Sequence, residues 1–380
     1  MKILLIGEYS NLHNSLKEGL QKNGHEVVLL STGDGFKNFD SDIVIKSSVF
    51  EGKFLKFIAK IIDRLIGISL NEIEIFVKTI IIINKLKGYD VVQLINERSF
   101  NTSPLLEKIL LKNIFKNNSK VFLLACGVDT VSIKYAKEKK FRYSILSPYF
   151  ENKNLKKEFK HTLKYLNSNY LMLGKFIREK VYGIISSDLD YHLPYKNSKK
   201  YLGIIPNPIN TDKLKTTDIN KKNKIWILHA VNSKNKIKKG NEFFEKALSL
   251  VEEKYKNEIN IIKTIDIPYS EHIINVKKCD ILLDQVYAYD QGYNALEAMA
   301  LGKVVLTGAE KEWIEFYNLE ENSVAINALP DVSKIVKKLS WLIENPIQLM
   351  NISKNARKFI EKHHHYENIA KKYLTTWEIQ

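Results

Sequence analysis

Short apolar runs alternate with amphipathic stretches of helical length along nearly the whole chain. The first half carries KILLIG, HEVVLLS, DIVIKS, YDVVQLIN and KVFLLACG, and the second half carries KIWILHAV, INIIKTID, DILLDQ and KVVLTG. This alternation is typical of βαβ units, whose strands pair in parallel. The sequence therefore predicts an α/β fold with two similar domains, each built on a parallel sheet.

A proline-containing segment suggests where the two domains meet. A chain of 380 residues is too long for one small core. The segment around Pro206 and Pro208 has few helix-forming residues, which favours a linker. The predicted units are an N-terminal domain at 1–203, a hinge at 204–222, a C-terminal domain at 223–360 and a helix at 361–380 that packs back on the first domain.

The formal net charge of the chain is +16, and most of the excess falls in residues 1–200. A basic half beside a near-neutral half indicates that one half faces a polyanion or an anionic membrane, although a Lys-rich composition can equally reflect an AT-biased genome. Cys126 and Cys279 form no CxxC or Cys/His ligand spacing, which favours a reducing compartment. The apolar runs are too short for a signal peptide core or a membrane span. We therefore expect a cytoplasmic protein.

Residues 51–70, EGKFLKFIAKIIDRLIGISL, have the pattern of an amphipathic basic helix. Aromatic and aliphatic side chains fall on one helical face and lysines fall elsewhere, which suits the surface of an anionic membrane. The alternative is ordinary core packing with a solvated lysine face. On the first interpretation the protein lies peripherally at the inner face of the cytoplasmic membrane.

Two loops of the second half have the chemistry of a nucleoside-diphosphate site. The first is Lys-rich, with Lys234 and Lys239 before a helix that starts at Gly240-Asn241. Unpaired N–H groups at a helix start, together with ammonium groups, can hold phosphate, although a solvated lysine loop is the alternative.

The second loop, DQGYNALEAMALGKVV, leads into a helix with one carboxylate, Glu297. Gly292 permits close backbone approach or a positive φ, and Tyr293 and Asn294 lie in the first turn, where main-chain donors are unpaired. A carboxylate there can accept hydrogen bonds from the two hydroxyls of a ribose. The alternative is that Glu297 caps its own helix. Because both loops follow strands of one sheet, we expect them at the same edge.

The sequence resembles GT-B glycosyltransferases, specifically the retaining glycosyltransferase family 4. The resemblance rests on DQGYNALEAMALGKVV, on KIKKG before a helix, and on GEYSNLHNSLKEGLQKNGHEVVLLS near the start of the chain. It covers nearly the whole chain and implies two Rossmann-like domains, an N-terminal acceptor domain and a C-terminal nucleotide-sugar domain. It also implies transfer of a sugar from a UDP or GDP sugar, with retention of configuration and no required cofactor.

The resemblance also implies roles for individual residues. Glu297 would hold the ribose, while Lys239 and Lys234 would grip the diphosphate and stabilise the leaving group. The remaining expected donor-binding residues are Gly292, Tyr293, Asn294, His229, Gly308, Glu310 and Gly7.

This chain departs from the family pattern at two places. The family has two glutamates eight residues apart, and the first position is Tyr289 here, which leaves sugar identity and mechanism open. The usual histidine of the N-domain loop is absent from CGVDT, and Asp129 is the nearest polar substitute, so we assign it as the candidate catalytic residue. His13, Glu8 and Glu97 are the candidate acceptor-binding residues.

Some of these acceptor assignments compete with structural alternatives. A structural or helix-start contact is the preferred explanation of His13, whereas Glu97 is explained equally well by acceptor binding and by a surface role. No DxD motif or ligand spacing demands a metal, and we interpret His363–His365 as a helix break.

The predicted function is glycosyl transfer to an oligosaccharide or lipid-linked acceptor in bacterial surface-glycan synthesis. One alternative is a GT-B sugar-nucleotide epimerase, which should need several acid/base carboxylates in the cleft. Another is a non-catalytic basic protein that binds a membrane or polyanion. Nucleic acid is not an expected partner, because no aromatic residues interleave with lysines on one sheet.

Overall fold

The computed structural model describes residues 1–33, 39–48, 69–217 and 224–379. The strands are β1 (Lys2–Ile6), β2 (Glu26–Ser31), β3 (Ile43–Val44), β4 (Val91–Leu94), β5 (Lys120–Ala125), β6 (Gly183–Ser186), β7 (Tyr201–Ile204), β8 (Ile225–Val231), β9 (Ile259–Ile265), β10 (Ile281–Leu283), β11 (Val304–Thr307) and β12 (Ile326–Asn327).

Helices follow most of these strands. The α-helices are α1 (Leu12–Lys22), α2 (Leu70–Ile82), α3 (Pro104–Asn117), α4 (Thr130–Lys137), α5 (Ser147–Glu151), α6 (Lys160–Leu163), α7 (Ser168–Lys180), α8 (Leu189–Tyr195), α9 (Lys236–Lys239), α10 (Asn241–Lys254), α11 (Tyr269–Lys278), α12 (Tyr293–Ala300), α13 (Lys311–Tyr317), α14 (Val332–Glu344), α15 (Pro346–His363) and α16 (Tyr366–Ile379). Short 3₁₀ turns lie at Ile83–Leu86, Lys153–Lys156 and Lys164–Leu166.

Two parallel sheets organise the chain. The first has the strand order β3-β2-β1-β4-β5-β6-β7, and the second has the order β12-β11-β10-β8-β9. Both are doubly wound, with a switch point between β1 and β4 in the first sheet and between β8 and β10 in the second. Ligands of such sheets bind beyond the carboxyl ends of the strands at the switch point. The predicted α/β fold with two Rossmann-like domains is confirmed.

The central strands are apolar because helices cover both faces of each sheet. Ile3, Leu4, Leu5 and Ile6 of β1 are all 0% exposed. Alternate residues of β1 belong to opposite faces, with Ile3 and Leu5 in one core cluster and Leu4 and Ile6 in another. A strand buried on both faces reads as a continuous apolar run, which explains why KILLIG could be recognised from sequence.

The sequence interpretation missed three strands, β6, β7 and β12. The first two have four residues each and β12 has two, and β7 ends where the predicted hinge begins. A run this short has too few residues to establish a period. The predicted domain limits themselves stay predictions, although every strand of the first sheet precedes Ile205 and every strand of the second lies within 225–327.

The last helix, α16, packs along α1 of the first domain. Trp377 is 1% exposed, and its Nε1–H donates to Gln93 Oε1 on β4 at 3.2 Å. The preceding helix, α15, ends at His363, and the break predicted at the three histidines is present. His364 there is buried, and its Nδ1 bonds the carbonyl of Asn207 at 2.8 Å.

Gly19 is the contact point between α1 and α16. A Cβ atom at Gly19 would lie 2.5 Å from the carbonyl oxygen of Tyr366 and 2.9 Å from Cβ of Ala370. We expect Gly19→Ala to lower the free energy of unfolding by about 1–3 kcal/mol, because backbone must move to relieve the overlap. Urea unfolding monitored by circular dichroism measures this. Gln21→Ala on the exposed face of α1 is the control and should change stability little; equal stability of both variants would contradict this packing.

In the described ranges, no helix has the length and apolar character needed to cross a membrane. The predicted amphipathic helix at 51–70 falls almost entirely outside the described residues, so its membrane role stays a prediction.

Candidate active site

Two cavities lie between the domains, at the carboxyl ends of the strands. Cavity A, about 290 Å³, is bordered by the loops that follow β1, β5, β6 and β10. Cavity B, about 330 Å³, is bordered by α1, by the segment after β7 and by the starts of α11 and α12. Both therefore occupy the position that the sheet topology favours for a ligand.

Glu297 lies on α12 and borders cavity B. Its side chain is 5% exposed, and Oε1 accepts a hydrogen bond of 2.6 Å from the Tyr269 hydroxyl at the start of α11. The carboxylate is therefore buried but is held in polar contact at a cavity wall. A carboxylate in this position can accept hydrogen bonds from the hydroxyl groups of a ligand.

Tyr293 separates the two cavities and borders both. Its hydroxyl lies 2.8 Å from Ser15 Oγ of α1 and donates to the carbonyl of Pro208 at 2.7 Å. One phenol thus joins the first domain, the segment between the sheets and α12. A ligand that extends from Glu297 into cavity A must pass this ring.

Lys239 forms an ion pair that the sequence interpretation did not foresee. Its Nζ donates to Asp284 Oδ1 at 2.8 Å, just after β10. Asn294 and Thr307 also donate to this carboxylate, at 3.0 and 3.1 Å. Burial would raise the pKa of Asp284, but the Lys239 charge and these hydrogen bonds hold it below its ordinary value.

The other lysines of the predicted phosphate cradle are spread over the surface. Lys234 is exposed, and Lys236 pairs with Glu245 at 2.8 Å. Lys238 lies 5.9 Å from the ring centre of Phe159 in the first domain. The structure therefore brings Lys239 to the switch point, while Lys234 could approach a ligand there only from solvent.

Gly292 and Asn294 lie at the start of α12 as predicted. Gly292 borders cavity A, but its φ is −76°, so the positive φ considered from sequence is wrong. A Cβ there would meet only Gln285 Nε2 at 3.7 Å. Asn294 is fixed between Asp284 and His272, whose Nε2 lies 2.7 Å from Asn294 Oδ1.

Gly308 and Glu310 follow β11, close to the loop after β10. Gly308 accepts a hydrogen bond from Gln291 Nε2 at 2.7 Å. The Glu310 carboxylate accepts hydrogen bonds from the Arg142 guanidinium of the first domain at 2.5 Å and from the Asn327 side-chain amide at 2.9 Å. It also accepts one from the Tyr143 hydroxyl. Glu310 is thus part of a contact between the domains.

Tyr289 contacts the first-domain segment that contains Arg142. Its hydroxyl accepts from the Arg142 backbone N–H at 2.8 Å, and the Arg142 guanidinium lies 4.7 Å from its ring centre. Phe141 and Tyr143 pack on the ring at 5.3 and 5.5 Å. Tyr289 is therefore part of an aromatic cluster between the domains.

Gly7, Glu8 and His13 form a compact structural unit after β1. Gly7 has a φ of +91°, and a Cβ would lie 2.2 Å from Ile95 Cγ2, so only glycine fits. His13 Nδ1 lies 2.6 Å from the Gly7 carbonyl, and burial lowers the His13 pKa to about 3. Glu8 Oε2 accepts from the Asn14 backbone at 2.8 Å. These contacts favour the structural alternative for His13.

Glu97 and Asp129 are buried beside each other, 1% exposed in both cases. Glu97 accepts from the Thr130 backbone at 2.8 Å and from Arg178 at 2.5 Å, so the surface role considered from sequence is wrong. Burial and the Asp129 charge raise the Glu97 pKa to about 7. Asp129 accepts from Ser132 N at 2.6 Å as the cap of α4. Neither carboxylate borders cavity A or B among the described residues.

His229, assigned to donor binding, is 2% exposed near the end of β8. Its Nε2 lies 3.1 Å from Asn241 Nδ2, and burial lowers its pKa to about 4. The neutral ring packs on Phe244, with ring centres 6.0 Å apart. The contacts of this ring are made within the C-terminal domain, beneath α10.

Three aspartates to which the sequence interpretation gave no role border cavity A: Asp188, Asp190 and Asp290. Asp190 accepts from the backbone N–H groups of Tyr289 and Asp290, at 3.1 and 3.2 Å. Asp290 accepts from the backbone N–H of Leu189 at 3.1 Å. The two domains are therefore joined by reciprocal carboxylate-to-backbone hydrogen bonds.

Burial is the largest cause that raises the pKa values of this group; the charge of Asp129 adds to it at Asp188, and the charge of Asp188 adds to it at Asp190 and Asp290. The pKa of Asp188 rises to about 6 and that of Asp290 to about 7. Both carboxyls therefore keep a proton in folded protein at pH values where an unfolded aspartate is ionised. Their own contribution to the free energy of unfolding should fall by about 1 kcal/mol between pH 6.5 and 8, while buried histidines such as His229 contribute in the opposite direction. Urea unfolding of the unmodified protein and of Asp188→Asn across this range separates the two, because the histidines are common to both; a stability difference between them that does not change with pH would contradict the assignment.

The overlooked residues share a recognisable position. Asp284 follows β10, Asp188 and Asp190 follow β6, and Tyr269 follows β9 after a short loop. Polar residues after a buried strand were the available signal, and it was missed at β6 because the strand itself was missed. Arg142 gave no such signal, because it lies in a segment between helices.

Comparisons with known proteins agree with this geometry. Residues 226–375 match the model of a family described as glycosyl transferase-like. Comparison with curated proteins finds no match. The match covers the C-terminal domain, including Glu297 and Lys239.

Solved structures share the fold over the full chain. Anabaena HepE in complex with UDP is 13% identical, with a TM-score of 0.59 and 100% of both chains covered. Sucrose-phosphate synthase from Thermosynechococcus elongatus is 13% identical, with a TM-score of 0.62, covering 100% of this chain and 98% of that one. A putative UDP-N-acetylglucosamine 2-epimerase from Listeria monocytogenes is 11% identical, with a TM-score of 0.54, covering 98% and 95%. At these identities the similarity shows the GT-B fold, and together with the family match it supports a glycosyltransferase.

Proposed function

We propose that this protein is a glycosyltransferase that moves a sugar from a nucleoside-diphosphate sugar to a saccharide acceptor. The observation that carries the proposal is Glu297, a buried carboxylate that borders a cavity between two Rossmann-like domains. The glycosyl transferase-like family match includes this residue. UDP or GDP is the proposed nucleotide, and Glu297 receives the ribose hydroxyls.

The diphosphate would lie between Glu297 and cavity A, past Tyr293. Breaking the bond between the anomeric carbon and the phosphate oxygen leaves negative charge on the diphosphate. We propose that Lys239 and the backbone N–H groups at the start of α12 stabilise that charge. Lys239 must then share its ammonium group between Asp284 and the phosphate, and Lys234 supplies a second cation from solvent.

The acceptor would enter cavity A from the first domain. The loops after β1, β5 and β6 border this cavity, which supports an acceptor site there. We propose retention of configuration because the sequence resembles a retaining family, and an oligosaccharide or lipid-linked acceptor in bacterial surface-glycan synthesis. A peripheral position on an anionic membrane through residues 51–70 belongs to the same proposal, as does activity without a metal.

Thermal shift measurements with UDP, GDP and CMP test the nucleotide site first. Ligand that binds only the folded state raises the melting temperature in proportion to ln(1 + [L]/Kd). A shift with UDP or GDP is expected, and a screen of activated sugars for nucleotide release then identifies the donor. Absence of any shift at millimolar concentrations would instead favour the non-catalytic alternative.

Epimerisation of a sugar nucleotide is the second candidate, and one observation favours it. Such an enzyme needs acid/base carboxylates in the cleft, and Asp188, Asp190 and Asp290 border cavity A. Proton NMR of each donor incubated with the protein separates the two functions. A new sugar isomer without an acceptor indicates an epimerase, whereas release of nucleotide that depends on an acceptor indicates a transferase.

A further inference from the structure

The charge of cavity A is unusual for this protein. The chain carries a net charge of +16, yet the described residues that border cavity A include no lysine, arginine or histidine. Three aspartates border it instead. A cavity with carboxylates on its wall and no counter-ion is suited to a ligand group that carries positive charge.

Asp188 is the carboxylate best placed to meet such a group. Both oxygens of Asp190 and both of Asp290 already accept backbone hydrogen bonds of 2.7–3.2 Å. Asp188 accepts from the Ser187 hydroxyl through Oδ2 at 2.7 Å, and its Oδ1 has no hydrogen bond of normal geometry within the described ranges. The backbone N–H groups of Tyr191 and Asp190 face this carboxylate and lower its pKa, but Asp188 forms no capping hydrogen bond of normal geometry to the start of α8.

Gln291 supplies an independent indication that a hydrogen-bond donor belongs here. It borders cavity A, is 2% exposed, and its Nε2 is fixed on the Gly308 carbonyl at 2.7 Å. Its Oε1 is buried and accepts no hydrogen bond from the part of the chain that the structure describes. A buried acceptor left in this state is costly unless a ligand donates to it.

We propose that cavity A binds a sugar that carries a protonated amino group, with the ammonium on Asp188 and a further donor of the sugar on Gln291. That the ligand is a sugar rests on the proposed function. The volume of about 290 Å³ is near the lower end for small-molecule pockets. Tyr287 and Phe141 offer apolar surface for the ring carbons. A divalent cation would need several carboxylate oxygens, and Asp188 alone is available.

The positive charge of such a ligand would also reduce the electrostatic repulsion between the carboxylates. Asp188 raises the pKa of Asp190 and of Asp290, and Asp129 raises that of Asp188. An ammonium group at Asp188 would favour the ionised forms. A neutral sugar of the same size would leave the repulsion unchanged, so the cavity should discriminate between the two.

The test titrates glucosamine, glucose and N-acetylglucosamine into the full chain saturated with UDP at pH 7, followed by ligand-observed NMR. Glucosamine should bind at least about tenfold more tightly than either neutral sugar. Asp188→Asn should weaken glucosamine binding by about tenfold and leave glucose binding unchanged. Glu253→Gln on the exposed face of α10 is the charge-matched control and should have no effect.

Several results would overturn the inference. These are equal binding of the three sugars, no binding of glucosamine, an unchanged affinity in Asp188→Asn, or displacement of glucosamine by Mg²⁺. The preference of the unmodified protein tests the idea even if Asp188→Asn does not fold. A retained thermal shift with UDP beside a failed glucosamine test would remove this inference alone, whereas loss of the UDP shift would remove the proposed function.

Discussion

Glu297→Ala should weaken UDP binding by about a hundredfold in isothermal titration calorimetry. On the proposed function the variant removes an acceptor for two ribose hydroxyls, and hydrogen bonds to a charged group contribute about 1.5–3 kcal/mol each. Glu297→Gln keeps the shape and one acceptor oxygen, so its loss should be smaller, about tenfold. An affinity for UDP within twofold of the unmodified protein in both variants would remove Glu297 from the nucleotide site.

Tyr269 provides the matched control for this experiment. Its hydroxyl donates a hydrogen bond to Glu297 Oε1 at 2.6 Å. Glu297→Ala therefore also removes the acceptor of the Tyr269 hydroxyl, and this loss contributes to the measured effect. Tyr269→Phe removes that hydrogen bond and leaves the carboxylate in place. We expect Tyr269→Phe to bind UDP within a fewfold of the unmodified protein, because the ribose can donate to the freed oxygen.

Lys239→Met should have two separable effects. Asp284 is 2% exposed, and removal of its cation leaves a buried carboxylate with only two neutral donors, which should lower the free energy of unfolding by about 3 kcal/mol. On the proposed function the same variant should also weaken UDP binding, because the ammonium group is proposed to stabilise the diphosphate. Urea unfolding without ligand measures the first effect and calorimetry with UDP the second.

The variant Asp284→Asn distinguishes the two roles of Lys239. Combined with Lys239→Met it removes the unpaired charge, so the double variant should recover stability without recovering UDP affinity. Recovery of both would mean that Lys239 acts only by holding Asp284. Stability of the single variant Lys239→Met equal to that of the unmodified protein would mean that the ion pair is not structurally important.

The pH dependence of the Lys239–Asp284 pair follows from the same contacts. The pKa of Asp284 in the folded protein lies below its ordinary value. Its contribution to stability is therefore present above the unfolded pKa and is lost as the pH falls through the folded pKa. This acid-side loss is opposite in direction to the change expected for Asp188 and Asp290 between pH 6.5 and 8.

The main architecture could be predicted from sequence because it depends on long runs of apolar residues. KILLIG, HEVVLLS and KIWILHAV each supply enough buried positions to define a strand, and their alternation with helices fixes a parallel sheet. Glu297 could be predicted because a lone carboxylate in an Ala- and Met-rich helix stands out. Its partner Tyr269 could not, because the contact joins residues 28 positions apart on different helices.

The contacts between the domains were beyond the reach of the sequence for the same reason. Arg142 and Glu310 are 168 positions apart, and Asp190 meets the backbone of Tyr289. Nothing in a local pattern states which loop of one domain faces which loop of the other. Asp129 illustrates a local contact: its carboxylate caps α4 three residues along the chain, and its assignment as the catalytic residue stays a prediction.

The position of α16 has a consequence for biosynthesis. Trp377 packs against β4 and β5, and α1 receives α16 at Gly19. During translation the first domain leaves the ribosome with the surface that α16 covers still exposed. The helix α16 is synthesised only after the second domain. The nascent first domain should therefore expose an apolar surface to chaperones until Tyr373 and Trp377 leave the ribosome.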